Sequence, residues 1–154
     1  MESITITSDP HNIAQVESYV EDMRVKYNIA DDAYGNILIS LTEAANNAII
    51  HGNGSDPSKT VTITAAPDAR GKAITFTITD QGKGFDHNNL PDPTAPENVD
   101  QPCGRGVFLM MQLADMVVFS NQGSTVEMQF RIWAYGCILL YRRHYFCPSG
   151  PNHT

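Results

Sequence analysis

Apolar and polar residues alternate along this chain with two different periods, and the switches between them mark out its elements. Residues 3–7, Ser-Ile-Thr-Ile-Thr, alternate strictly, the period-two pattern of a half-buried strand. Asp9-Pro10 then offers a helix start, since proline is tolerated in a first turn. Ile13, Val16, Val20 and Met23 follow at steps of three and four, which predicts a helix over 10–27. Asn28 to Asp32 is a break, and Asp31 or Asp32 is placed to cap a second helix running to about His51. Leu41, Ala44, Ala45, Ala48 and Ile49 lie on that helix's core face, and Gly52 ends it.

A polar turn at 54–57 leads into two more alternating runs, 60–66 and 73–79, joined by a hairpin turn marked by Asp68, Arg70 and Gly71. Residues 86–103 carry four prolines and no period, which reads as a long loop. Gly106 to Ala114 predicts a third helix, with Val107, Leu109 or Met110, and Leu113 inward. Met116–Ser120 reads as a strand, 121–123 as a turn, and Thr125–Ile132 as a final strand. The sum is an α+β two-layer sandwich: a mixed, mostly antiparallel sheet with its helices on one face. The domain is expected to occupy 1–132. Residues 133–154, with the single tryptophan and two of the three cysteines, have no clear period and form an atypical tail. An extra strand, a self-association element and a shifted reading frame all remain open for it.

A length of 154 residues is enough for one domain with its own core. The net charge of −7 argues against non-specific binding to nucleic acid or to an anionic membrane. Cys103, Cys137 and Cys147 are odd in number and without close pairing, which points to free thiols and a reducing cytoplasm. No signal-peptide pattern opens the chain, and no apolar run reaches membrane-spanning length.

Three clusters carry candidate chemistry. Glu43 and Asn47 are four apart on the second helix, so a carboxylate and an amide oxygen share one face. Such a pair suits a proton acceptor beside a hard cation, and Mg²⁺ needs only one or two protein oxygens when phosphates and water supply the rest. Asp80-Gln81-Gly82-Lys83-Gly84 follows directly on an alternating strand. Gly104-Arg105-Gly106-Val107-Phe108-Leu109 opens the third helix, where free amides and the helix dipole favour phosphate oxygens. No Lys-Ser/Thr follows the glycines, so this is not a P-loop.

The order E-x-x-x-N, D-x-G-x-G, G-x-G-x-x-L resembles the ATP-binding fold shared by histidine kinases, type II topoisomerases, Hsp90-like chaperones and mismatch-repair ATPases. Within it, EAANNAIIHGN and GRGVFLMMQLADMVVF resemble the small anti-sigma-factor serine kinases, over roughly residues 3–132. The resemblance implies a Bergerat-type fold with ATP and Mg²⁺ as cofactors. Glu43 would be the general base and Asn47 the Mg²⁺ ligand. Asp80 would accept a hydrogen bond from the adenine 6-amino group, with Gly82 and Gly84 letting the backbone approach the base. Gly104, Arg105 and Gly106 would border the phosphates, although a solvated role for Arg105 stands equally, and Leu109 would also belong to the cofactor-binding set. The long loop would be a lid. Where the family often has an acidic residue before the glycine pair, Gln101-Pro102-Cys103 stands here.

By the same resemblance the protein would phosphorylate a serine on a small anti-anti-sigma (STAS-type) partner and sequester a sigma factor, in the cytoplasm, with dimerisation common in the family. The alternative is a non-catalytic ATP-sensing module that holds a sigma factor or another regulator. A sensor histidine kinase fits poorly, because His11 is the only histidine before Glu43 and lies on a single short helix.

Overall fold

The computed structural model describes residues 1–84, 95 and 104–133. Expectations for Phe85, the proline-rich loop, the three cysteines and the tail beyond Trp133 lie outside the described residues.

Among the described residues five strands form one sheet: β1 (Glu2–Thr7), β2 (Thr60–Pro67), β3 (Ala73–Thr79), β4 (Met116–Ser120) and β5 (Thr125–Arg131), in the spatial order β1-β2-β3-β5-β4. All four pairings are antiparallel. The alternation in the sequence becomes two faces because successive side chains point to opposite sides of a strand. Ile4, Ile63, Ile78, Val126 and Phe119 stand in register across the sheet as one apolar row. Ala65, Phe76, Met128 and Val117 make the next row. The opposite face carries Thr5, Thr62, Thr79 and Thr125 in register, a row of hydroxyls. Phe76 and Phe130 meet edge to face at 6.2 Å between ring centres.

The helices cover the apolar face. Asp9 caps a short 3₁₀ turn, Pro10–Asn12, by accepting the His11 backbone N–H at 2.9 Å, and the chain continues into α1 (Ile13–Tyr27). Val16, Val20 and Met23 are buried, as their spacing predicts, and Asn28 closes α1 in the left-handed conformation.

Helix α2 (Asp31–Asn47) departs from expectation at both ends. Its N-cap is Ala30, whose side chain has no oxygen to offer, and neither Asp31 nor Asp32 caps it. Both aspartates sit in the first turn, where the helix dipole favours them. Asp31 instead accepts a 2.7 Å hydrogen bond from Arg24 of α1. At the far end the α-helix gives way to a π-helical turn, Ala48–Gly52, before the predicted stop. Helix α3 spans Arg105–Leu113, with Val107 and Met110 buried and Leu109 half-buried. Beyond it, Asp115 anchors structure by accepting the Arg131 backbone N–H at 2.8 Å.

Among the described residues, no helix is long and apolar enough to cross a membrane. Ser40 of α2 is fully buried, and its hydroxyl has no hydrogen-bond partner among the described residues. A buried, unmade hydrogen bond costs stability, and alanine is the better helix former. Ser40→Ala should therefore stabilise the fold by about 1 kcal/mol, read as a higher urea midpoint at unchanged slope.

Candidate functional site

The strand alternation that builds the core also aims the first site residue. Asp80 keeps the inward parity of Ile74, Phe76 and Ile78, so it faces the helices rather than the threonine side. It is only 8% exposed. Its backbone N–H donates to the Ser124 carbonyl at 2.9 Å, and its Oδ1 accepts the Gly82 N–H at 2.8 Å. Oδ2 accepts no hydrogen bond among the described residues. Burial pushes the Asp80 carboxyl above its usual range, against the opposing pull of the Gly82 N–H and the Lys59 charge.

The π-helical turn brings the end of α2 hard against this carboxylate. A Cβ on Gly52 would lie 2.4 Å from Asp80 Oδ2, and one on Gly82 would lie 1.8 Å from the Gly52 carbonyl oxygen. Only glycine at both positions allows the two backbones to approach so closely. Gly84 packs instead on the Gln122 carbonyl, in the turn between β4 and β5.

Asn47, at the last turn of α2, shares a cleft with Asp80. Ala48, Ile78, Met110 and Val126 supply its apolar walls. Asp80 is a buried acceptor in a mostly apolar lining that also holds Asn47 and Ser124.

Glu43 lies one helical turn before Asn47, and both side chains rest against the start of α3. A Cβ on Gly106 would stand 2.9 Å from Glu43 Oε2 and 3.2 Å from Asn47 Nδ2. Gly104, at φ +90°, turns the chain into that helix and makes no side-chain cap. Arg105 is exposed in the first turn.

The structure thus gathers Glu43, Asn47 and Gly106 at one end and Asn47 with Asp80 along the cleft, with Gly82 bonded to Asp80. Of the residues the sequence put forward, Asn47 and Asp80 line that cleft, while Glu43, Gly82, Gly84, Gly104, Arg105, Gly106 and Leu109 do not; α3 contributes Met110 to its wall. Sequence reasoning passed over Gly52 as an approach point for Asp80. It also passed over Asn53, whose buried amide ties the ends of three strands together. The one local signal for Asn53 is a polar residue directly after a helix-ending glycine.

An antiparallel sheet lies under a helical layer, with a buried aspartate at a strand end and a carboxylate–amide pair on the facing helix, an α+β domain. The chain belongs to the histidine kinase-like ATPase domain family, which it matches over residues 6–130. That membership implies that the protein binds ATP. The chain is 36% identical over 95 residues to the anti-sigma F factor of Anoxybacillus flavithermus, a match covering 57% of this chain and 62% of that protein. Its fold is also similar to the RsbU and RsbW domains of Rv1364c from Mycobacterium tuberculosis. That match has a TM-score of 0.55 and 17% identity over 86% of this chain and 33% of the other.

Proposed function

We propose that this protein is an ATP- and Mg²⁺-dependent protein serine kinase that doubles as an anti-sigma factor, with a small anti-anti-sigma protein as its phosphate acceptor. The observation that supports it best is the sharing of Asn47 between two groups. It lines the Asp80 cleft and also lies with Glu43 against Gly106. A nucleotide with its base on Asp80 would run its phosphates past Asn47 toward Glu43 and the first turn of α3. The similarity to an anti-sigma F factor supports the regulatory half of the reading.

Among the described residues, no cluster of three or more His, Cys, Asp or Glu gathers to cage a metal. The donors present fit Mg²⁺ better than a transition metal, because Mg²⁺ keeps its waters and takes phosphate oxygens alongside one or two protein ligands. Asn47 would hold it through the amide oxygen, and the ion would spread the phosphate charge.

Glu43 would accept the proton of the partner's serine hydroxyl as that oxygen bonds to the γ-phosphorus. The bond to the ADP oxygen breaks in the same step, and the products are ADP and phosphoserine. The amides at the start of α3 would receive the phosphate oxygens.

The test is transfer of label from γ-radiolabelled ATP, with Mg²⁺, to the serine of an anti-anti-sigma protein from the same genome. The expected result is stoichiometric labelling of the partner. A protein that binds ATP and the partner yet leaves the serine unlabelled is not this kinase.

A further inference from the structure

Asn53 sits one residue past Gly52 and is 3% exposed, yet every polar atom of its side chain is engaged. Nδ2 donates to Ser8 Oγ at 2.8 Å and to the Thr60 carbonyl at 2.9 Å, using both of its protons. Oδ1 accepts the Gln81 backbone N–H at 2.8 Å. One amide therefore joins the segment after β1, the start of β2 and the segment after β3 to the turn that closes α2.

The neighbours reinforce it. Ser8 passes the connection on by donating from Oγ to the Lys59 carbonyl at 3.0 Å. Gln81 is held a second time, because its Oε1 accepts the Thr60 N–H at 2.8 Å. Gln81 is the residue between Asp80 and Gly82. Fixing its N–H fixes the peptide that follows Asp80 and, one residue on, the Gly82 N–H that holds Asp80 Oδ1. On the opposing strand of backbone, Asn53 is bonded next to Gly52, which presses on the same carboxylate.

We propose that Asn53 is a positioning residue for purine recognition. Its amide sets the spacing between the Gly52–Asn53 and Asp80–Gly82 backbones, and so the direction of the Asp80 carboxylate. It governs the preference for adenine over guanine without touching the nucleotide. The inference rests on the cleft beside Asp80 being the ATP site.

Removing a buried hydrogen-bonding partner leaves the Gln81 N–H unpaired and the turn free to shift, a change that acts on geometry as well as on stability. Titration of the folded full chain with fluorescent N-methylanthraniloyl ATP and GTP, at fixed Mg²⁺, reads the consequence. In Asn53→Ala the ATP affinity is expected to fall about tenfold or more while GTP binding changes little, so the selectivity ratio collapses. In an Asp80→Asn background the same substitution should cause no further loss of selectivity, since coupled residues are non-additive.

Equal losses for ATP and GTP, or full additivity with Asp80→Asn, would overturn the proposal and leave Asn53 as scaffold only. If Asn53→Ala does not fold, Ser8→Ala decides. It keeps the Gln81 bond but removes one anchor of the amide, and a smaller shift of the same ratio is expected. An unchanged ratio in folded Ser8→Ala sinks the idea. Wild type that fails to bind either nucleotide would remove the ATP site and this inference together. ATP binding sensitive to Asp80→Asn but indifferent to Asn53→Ala would remove only the inference.

Discussion

Glu43→Gln is expected to slow phosphate transfer to the partner serine by about a hundredfold or more while ATP binds as before. The two halves of that result have separate causes. Glutamine keeps the length and shape of the side chain, so the contact with Gly106 and the neighbouring Asn47 amide survives. What it loses is the ability to take a proton, and a positioned general base contributes about 10²–10⁴ in rate. Single-turnover labelling of the partner gives the rate, and nucleotide titration gives the affinity. Unchanged transfer would remove Glu43 as the base. A parallel loss of ATP affinity would make it a binding group instead. If partner binding and its ATP dependence are the same in wild type and variant, and neither labels the serine, the protein is a nucleotide-sensing module rather than a kinase.

The sheet was legible in the sequence because its evidence is local. Thr62, Thr64, Thr75 and Thr77 alternate with Ile63, Ala65, Ile74 and Phe76, and period two leaves only the choice of which face is buried. The core face of α2 was legible for the same reason: Leu41, Ala44, Ala45, Ala48 and Ile49 are all buried.

Its start was not legible. Ala30, Asp31 and Asp32 adjoin, aspartate is a preferred cap, and the backbone dihedrals that make Ala30 the cap leave no trace in residue type. The contact of Arg24 with Asp31, across the bend between two helices, supplies the competing use for that carboxylate.

The site divides along the same line. Asp80 could be placed at a strand end from its own segment, and Glu43 and Asn47 on one helix face from theirs. The π-helical turn and Asn53 could not, because they are defined by partners far along the chain. Asn53 bonds to Ser8 and Gln81 across 45 and 28 residues. No window of sequence holds both ends of those bonds. What turns a helix-ending Gly-Asn pair into a support for Asp80 is the arrival of the end of β3 beside it.

Asp80→Asn is expected to do two opposite things: raise the stability of the nucleotide-free protein at neutral pH and weaken ATP binding by about ten- to a hundredfold. Burial raises the Asp80 pKa in the folded state above its unfolded value. Between those two values the folded state binds more protons than the unfolded one. Stability therefore falls as pH rises through this window and stays lowered above it. Asparagine carries no charge to desolvate, so the variant escapes that cost at pH 7. Its advantage should vanish near pH 3, where both forms are neutral, about a unit below the ordinary aspartate pKa of about 3.9.

Binding runs the other way because of how the amide must sit. The Gly82 N–H, 2.8 Å from Asp80 Oδ1, will select the amide oxygen for that place. The NH₂ group then occupies the Oδ2 position, and a donor meets the adenine 6-amino donor. The guanine carbonyl would be accepted there, so the variant should shift its preference toward GTP. Thermal melts with and without each nucleotide capture both effects, since a ligand that binds the native state raises its midpoint. The variant should melt above wild type alone and below it in saturating ATP. A variant that melts lower in both conditions and binds ATP as wild type does would show that the Asp80 carboxylate supports the fold and does not read the base.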